Sequence, residues 1–357
     1  MEDEELEAIR RISISSNSME YENPCGPCLE DSLEVEAVSY CGTCKKHFCV
    51  SCKRMHSKIF REHEREDSFI NKTWPPAHNY QKEPVKLRRE CNIQLLKEDK
   101  EKCHVISCSF LPDGLVLLVD NFNRRLKLLS EDKSVLNTLS LPEKPHVACV
   151  VDKMVALTMA DQSVLLLAVD RQNIKIVSVC PMEHECHCIA HFKETLYIGD
   201  DQTIYKYPMN CKNNKIFYSN KSCPRSVKYF IINNEGTRMY VTNEVSGQVV
   251  ILNMEGVYLE AIRHHDMQCP RGLCFGNNCI YVCGYQSSTI TKISLTGEEP
   301  VCCFNKDDGI VSPVTICHDT NKDELVISQW RNNNVVVFEL MHPSDDANNT
   351  LADSSKF

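Results

Sequence analysis

Residues 115–129 read Leu-Val-Leu-Leu-Val-Asp-Asn-Phe-Asn-Arg-Arg-Leu-Lys-Leu-Leu, two apolar runs on either side of a polar segment. The first run, 115–119, and the second, 126–129, each have the length of a β-strand, and both are rich in Leu and Val. The polar residues between them are typical of a turn. This stretch therefore predicts two consecutive strands joined by a short turn.

The same pattern of strand, turn and strand recurs six times from about residue 90 onward. Further copies of the first run begin at Met154, Thr195, Met239, Cys279 and Glu324. An additional apolar strand precedes each pair, and its equivalent positions are Ile106, Ala148, Ile189, Val227, Leu273 and Ile316, separated by 42, 41, 38, 46 and 43 residues. A period near 42 with about four strands per repeat predicts a β-propeller. The Val, Ile and Tyr content excludes helical repeats of similar length.

The sixth repeat supplies three strands, because the chain becomes polar from His342 onward. The run from Cys91 to Leu96 precedes the first repeat and has no obvious partner there. We expect it to be the outer strand of the sixth blade, which would close the ring and remove two exposed sheet edges. The fold class predicted is mainly β, with a six-bladed propeller over residues 90–342 closed by an N-terminal strand.

A second motif lies ahead of the repeats and consists of three Cys-x2-Cys pairs followed by two histidines. Its residues are Cys25, Cys28, Cys41, Cys44, Cys49, Cys52, His56 and His63. Eight such ligands are enough for two tetrahedral Zn²⁺ sites, and a segment this small needs metal to fold. The alternative is a redox or disulfide cluster, which requires an oxidising compartment. The acidic start, Met-Glu-Asp-Glu-Glu, is unlike a secretory signal.

The spacing C-x2-C-x12-C-x2-C-x4-C-x2-C-x3-H-x6-H resembles the B-box zinc finger of the tripartite-motif family. That resemblance implies an interleaved arrangement of ligands. One ion would be held by Cys25, Cys28, Cys49 and Cys52, and the other by Cys41, Cys44, His56 and His63. The repeat region resembles the six-bladed NHL propellers that end several members of the family, by its period and by residues 119–126. B-boxes often self-associate, so the resemblance also implies a dimer.

The composition is that of an ordinary globular chain of 357 residues, with a net charge of -9 and a pI near 5.8. It weighs against broad affinity for nucleic acid or anionic membranes, and no apolar stretch is long enough to span a bilayer. We expect a cytoplasmic protein, with the nucleus as an alternative. The domains predicted are a disordered tail (1–20), a B-box-type zinc finger (21–69), a linker (70–89), the propeller (90–342) and a second disordered tail (343–357).

One face of the propeller is the expected partner site, because the residue that opens each first strand shares a face with the loop joining second and third strands. The opening positions are His104, His146, His187, Arg225, Arg271 and Val314, and the loops carry Phe122, Arg124, Asp161, Asp201, Val245, Tyr285, Trp330 and Arg331. Basic and aromatic groups favour docking. The first choices as anchors are Trp330, Tyr285, Arg225 and Arg271, joined by Phe122, Arg124 and Arg331. The alternative is that His104, His146 and His187 are hydrogen-bonded core histidines. Phe122 and Trp330 would then be packing residues.

The sequence favours a protein-binding adaptor over an enzyme. No Gly-x-Ser-x-Gly elbow or phosphate-binding glycine loop is present. Ubiquitin ligases of the tripartite-motif type carry a RING domain, and only 24 residues precede Cys25. A ligase component is therefore the second hypothesis. Binding of single-stranded RNA, which the NHL resemblance implies, is the third, because residues 90–342 hold 30 acidic and 25 basic side chains.

Overall fold

The computed structural model describes residues 82–341, except 222 and 224, together with three short strands nearer the N-terminus. The chain divides into two compact units, Met1–Pro76 and Ala77–Phe357. In the first unit, β1 (Ser39–Cys41) lies between β2 (Lys46–Phe48) and β3 (Arg65–Glu66), and both pairings are antiparallel. Cys41 is the last residue of β1. The other seven predicted zinc ligands and both predicted tails lie outside the described residues.

The described residues of the second unit form six four-stranded antiparallel sheets. The strand β4 (Val85–Asn92) precedes them in the chain. Blade 1 contains β5 (Val105–Phe110), β6 (Val116–Asp120), β7 (Arg125–Leu129) and β8 (Val135–Ser140). Blade 2 contains β9 (Pro145–Val151), β10 (Met154–Met159), β11 (Ser163–Val169) and β12 (Ile174–Pro181). Blade 3 contains β13 (Cys188–Phe192), β14 (Thr195–Gly199), β15 (Thr203–Pro208) and β16 (Lys215–Ser219).

The remaining blades follow the same order. Blade 4 contains β17 (Tyr229–Ile232), β18 (Arg238–Asn243), β19 (Gln248–Asn253) and β20 (Tyr258–Arg263). Blade 5 contains β21 (Pro270–Gly276), β22 (Cys279–Gly284), β23 (Thr289–Ser294) and β24 (Val301–Phe304), followed by a 3₁₀ turn at Lys306–Asp308. Blade 6 contains β25 (Pro313–Asp319), β26 (Glu324–Gln329), β27 (Asn334–Leu340) and β4. The prediction of a mainly β, six-bladed propeller is confirmed. Among the described residues, no helix has the length and apolarity required to cross a membrane.

The second strands are continuous apolar runs because both of their faces are buried between blades. In β6, Leu117 and Val119 pack against blade 2, while Val116 and Leu118 pack against blade 6. Among the described residues, one apolar cluster lies between each pair of neighbouring blades, six in all. Strands buried on both faces lose the alternation of polar and apolar residues that marks a half-exposed strand. The core therefore forms a ring of six contacts between blades.

The strand that completes blade 6 lies earlier in the chain than the sequence predicted. It is β4, which pairs antiparallel with β27, with Asn92 opposite Asn334. The prediction of a strand at Cys91–Leu96 was wrong in its bounds, and so was a linker reaching residue 89. After Asn92, buried Ile93 packs between blades 6 and 1, and the chain then turns at Leu95 with Leu96 exposed. The segment after Asn92 has the apolar composition of a strand but does not pair with β27, which explains why the predicted strand reached Leu96.

The repeat is more regular in the structure than the sequence suggested. In every blade, the fourth residue of the second strand pairs with one residue of the first strand. The first-strand partners are Ser107, Ala148, Ile189, Phe230, Leu273 and Ile316. They are 41 to 43 residues apart. Taking Val227 as the blade 4 position was wrong, because Val227 precedes β17. It resembled a strand residue because it is buried between blades 3 and 4.

Candidate partner-binding face

The openings of the first strands and the loops between second and third strands meet on one face, as the sequence predicted. Backbone hydrogen bonds tie each loop to its opening segment. Asn121 N donates to His104 O at 3.0 Å, and Trp330 N donates to Ser312 O at 3.0 Å. The last residue of β6, Asp120, accepts a hydrogen bond from His104 N at 3.0 Å. These short links hold residues distant in sequence next to each other.

An aromatic cluster forms where blades 1, 5 and 6 meet on this face. The His104 ring lies between two aromatic rings, with its centroid 4.4 Å from that of Phe122 and 4.3 Å from that of Trp330. Phe122 and Tyr285 each lie 6.0 Å from Trp330, and both meet it edge to face. Edge-to-face contacts at such distances are favourable for aromatic rings. The cluster is therefore packed in one arrangement before any partner arrives.

Two arginines cover the cluster. The Arg271 guanidinium lies 3.6 Å from the centre of the Tyr285 ring, and Arg331 lies 5.4 Å from that of Phe122. Arg271 Nη2 also donates to Glu244 Oε1 at 2.9 Å, and its Nε donates to the same oxygen at 3.2 Å. A guanidinium held by both a carboxylate and a ring is fixed in position. We call Phe122, Arg271, Tyr285, Trp330 and Arg331 the aromatic–arginine cluster.

The His104 imidazole is electrically neutral near pH 7. Burial, together with the positive charge of Arg271, lowers the pKa of His104 to about 4. Neither ring nitrogen has a hydrogen-bond partner among the described residues. The residue therefore acts as an aromatic packing partner for both Phe122 and Trp330. It is not one of the hydrogen-bonded core histidines that the alternative interpretation expected.

The histidines of blades 2 and 3 differ from His104 and from each other. His187 Nδ1 lies 2.9 Å from Asp201 Oδ1, and this hydrogen bond raises the pKa of His187. Burial, together with the nearby His187, whose ring centroid is 5.2 Å away, lowers the pKa of His146 to about 4. This side of the face is therefore more polar than the aromatic–arginine cluster.

A tyrosine bridges the centre of the propeller below this face. Tyr229, the first residue of β17 in blade 4, donates its hydroxyl to Ile106 O of blade 1 at 2.9 Å. In a ring of six blades these two are opposite each other, so the bond crosses the channel. Tyr229 is buried. The Tyr229 side chain therefore lies across the channel beneath a ligand bound on this face.

The structure brings together five of the seven predicted binding residues, those of the aromatic–arginine cluster. Arg225 lies at the edge, with its Nη1 3.9 Å from Glu244 Oε2. Arg124 lies apart, because its side chain donates to Pro142 O at 2.9 Å. Sequence reasoning missed Glu244 as the residue that orients Arg271. The available signal was its place beside Val245, in a loop already assigned to this face.

No family model matches the sequence. No curated protein matches it either.

Solved structures with the same architecture are numerous but distant in sequence. A catalytically inactive virginiamycin B lyase from Staphylococcus aureus, solved with quinupristin, has a TM-score of 0.55 and 10% identity over 71% of this chain and 99% of its own. A luciferin-regenerating enzyme has a TM-score of 0.55 and 12% identity over 71% and 95%. A Bacteroides thetaiotaomicron protein of unknown function has a TM-score of 0.55 and 12% identity over 71% and 76%. Such low identities show the fold alone: the chain is a mainly β protein with a six-bladed propeller.

Proposed function

We propose that this protein is a recognition scaffold that binds a protein partner on the aromatic–arginine cluster. The observation that carries the proposal is the fixed stack of Arg271 on Tyr285 beside Trp330. Arginine, tyrosine and tryptophan are the residues most enriched at binding hot spots. Glu244 already orients Arg271 before a partner binds. Binding therefore costs less side-chain entropy, because this arginine does not have to be ordered again.

The exposed parts of the cluster indicate the partner's chemistry. The Trp330 side chain is a large apolar surface that remains 39% exposed. Arg331 is half exposed, and its nearest carboxylate, that of Glu101, lies 3.7 Å away on an equally exposed side chain. An exposed pair of this kind contributes little stability and exchanges easily for another carboxylate. We therefore expect the partner to place an apolar side chain on Trp330 and a carboxylate near Arg331.

We further propose that the N-terminal unit binds two Zn²⁺ ions through the eight Cys and His residues, in the interleaved B-box arrangement. The spacing of the ligands supports this. So does the antiparallel pairing of β1 and β2, which places Cys41 opposite Lys46 and so brings together the two strands that flank the second Cys pair. By its resemblance to tripartite-motif proteins, this unit would mediate self-association or couple the bound partner to ubiquitination.

The proposal of a binding face is tested by comparing three tagged proteins recovered from cells: the unmodified chain, a Trp330→Ala/Arg331→Ala variant and an Arg124→Ala control. Arg124 and Arg331 occupy equivalent turns and share a left-handed backbone, with φ of 49° and 48°. Only Arg331 contacts the cluster. We expect partner recovery, measured by quantitative mass spectrometry, to fall at least about tenfold in the double variant, because hot-spot truncations cost roughly 2 kcal/mol or more. Recovery by the control should be unchanged.

Each recovery is run with and without nuclease and is also probed for ubiquitin chains. Loss of all recovered material on nuclease treatment would favour the RNA-binding alternative. Unfolding is monitored by thermal melting, and Arg331→Ala alone is used if the double variant melts early. Equal recovery of every protein by all folded variants would show that the aromatic–arginine cluster is not the binding site.

A further inference from the structure

We propose that His264, His265 and Asp266 form a transition-metal site that takes Zn²⁺ or a similar divalent ion. The three residues lie in the connection between β20 and β21. Nitrogen, nitrogen and oxygen ligands are a set that zinc and its neighbours prefer. Its residues belong neither to the N-terminal Cys and His motif nor to the aromatic–arginine cluster, although Asp266 O accepts a hydrogen bond from Ser287, in the loop that carries Tyr285.

The distances between the ligand atoms fit one shared ion. His265 Nε2 lies 3.2 Å from Asp266 Oδ2, and His264 Nδ1 lies 3.8 Å from the same oxygen. All three ligand atoms lie within 4.8 Å of one another. Two ligands at about 2.0–2.1 Å from a tetrahedral zinc ion are roughly 3.3 Å apart. Binding therefore requires small side-chain adjustments and the loss of the hydrogen bond that His264 Nδ1 accepts from Asp266 N at 3.4 Å.

The contact between His265 and Asp266 is not a hydrogen bond. Although the two atoms are 3.2 Å apart, both His265 Nε2 and Asp266 Oδ2 are buried without a hydrogen-bond partner among the described residues. Buried polar atoms are rarely left unsatisfied, because each costs about 1–3 kcal/mol. An ion between them would satisfy both atoms at once.

The loop that carries the three residues is held in place by its neighbours. Asp266 O accepts hydrogen bonds from the hydroxyls of Ser287, at 2.6 Å, and Thr289. Met267 is fully buried and packs between blades 4 and 5, and its N donates to His264 O at 2.9 Å. Ligands on a fixed backbone bind metal with less loss of entropy than ligands on a mobile loop.

A second group of potential metal ligands in the described part of the chain is already occupied by the ammonium group of a lysine. Asp99, Cys103 and Asp120 also lie close enough together to share an ion. There the Lys127 ammonium already lies 2.6 Å from Asp99, 2.9 Å from Asp120 and 3.2 Å from the Cys103 sulfur. In the His264 group, by contrast, the ion pairs found among the described residues join the two histidines to Asp266. The geometry thus supports a metal at the His264 group and not at the Asp99 group.

The test is the zinc content of the full chain, dialysed against buffered Zn²⁺ under reducing conditions and measured by mass spectrometry of the metal. We compare the unmodified chain with a His264→Ala/His265→Ala variant. The control is His184→Ala, because His184 lies in the equivalent connection two blades earlier and belongs to no ligand group among the described residues. We expect the double variant to bind one fewer ion per chain and the control to bind the same number as the unmodified chain.

The count also separates this site from the proposed N-terminal sites. Three bound ions in the unmodified chain and two in the variant support both proposals. One ion in the unmodified chain and none in the variant support the His264 site alone. If the double variant does not fold, Asp266→Asn is used, since it keeps the backbone carbonyl that Ser287 and Thr289 hold, and its zinc affinity should fall at least about tenfold. An equal zinc count and affinity in the unmodified chain and the folded variants would overturn the proposal.

Discussion

At the scale of single residues, His104 links the packing of the face to its stability. Its pKa of about 4 in the folded chain lies below the ordinary value of 6.5. Between these two values the unfolded chain binds the extra proton and the folded chain does not. The stability that neutral His104 contributes is therefore fully present above pH 6.5 and is lost as the pH falls towards 4. His146 acts in the same direction.

His187 has the opposite effect, because Asp201 raises its pKa. Its contribution is fully present below pH 6.5 and is lost as the pH rises through its folded pKa. The stability of the face is therefore greatest where His104 and His146 are neutral and His187 still carries its proton, just above pH 6.5.

We predict that His104→Phe makes folding less sensitive to acid. From the shift of His104, the unmodified chain should lose about 2 kcal/mol of unfolding free energy between pH 7.5 and pH 5 through this residue. The variant should lose that much less over the same interval. Comparing each protein with itself at two pH values cancels the change in packing. Urea denaturation at both pH values provides the measurement, and equal losses in the two proteins would mean that His104 is not held neutral.

Residues of the site could be placed on the correct face from the sequence, but their contacts could not. The face follows from the repeat, because every loop between second and third strands lies on the same side. The direction of a side chain depends on what surrounds it. Arg124 and Arg331 occupy equivalent turns, yet the first binds Pro142 O and the second covers Phe122. Their places within the turns differ, four residues after the end of β6 and two after the end of β26, but this difference does not predict either contact.

At the scale of elements, blade 1 is joined to the strand that closes the ring by a buried network of charges. Lys127 of β7 binds Asp99 and Asp120, and it donates to Ile93 O at 3.0 Å. Asp99 and Ile93 belong to the segment between β4 and β5. Burial alone would lower the pKa of Lys127, but Asp120 and Asp99 outweigh it and raise the pKa. The ammonium therefore stays charged and holds β4 to blade 1.

Replacing Lys127 with methionine should be strongly destabilising, since it removes the cation that Asp99 and Asp120 share and, among the described residues, leaves Asp99 only the Nε of Arg125, at 3.7 Å. Breaking a buried pair in this way costs about 3–5 kcal/mol. The matched control is Arg171→Met, which removes the exposed pair of Arg171 and Glu131 at 2.7 Å and should cost less than about 1 kcal/mol. Equilibrium denaturation of both variants measures the difference. Similar losses in the two would show that the Lys127 network does not hold the closure.

Second and third strands were predictable because they are buried on both faces, which leaves a continuous apolar signal. Outer strands were harder, because one edge is exposed and the pattern weakens. In β20, Tyr258 and Leu259 are exposed. The closing strand β4 is also largely exposed, and Val85 and Cys91 are the apolar residues that it packs inward. A strand whose pairing depends on a partner 242 to 255 residues away carries little local evidence of its own bounds.

At the scale of the whole molecule, each blade is stabilised by two neighbours and the ring has no free end. Tyr229 and Ile106 add a hydrogen bond between opposite blades. Such a ring is a rigid platform with several surfaces on which a partner could dock. Besides the aromatic–arginine cluster, outer strands expose apolar residues, for example Val177 and Val179 on β12 and Tyr258 on β20. We propose that recognition uses the aromatic–arginine cluster and not these edges.

Site-specific photo-crosslinking distinguishes these surfaces most directly. A benzophenone amino acid replaces Trp330 in one protein and Tyr258 in another. Both side chains are aromatic and exposed, at 39% and 57%. After illumination in cells, we predict a discrete adduct with a partner protein from position 330 that is lost on adding Arg331→Ala, and none from position 258. An adduct from position 258 alone, or the same adducts from both positions, would contradict recognition through the aromatic–arginine cluster.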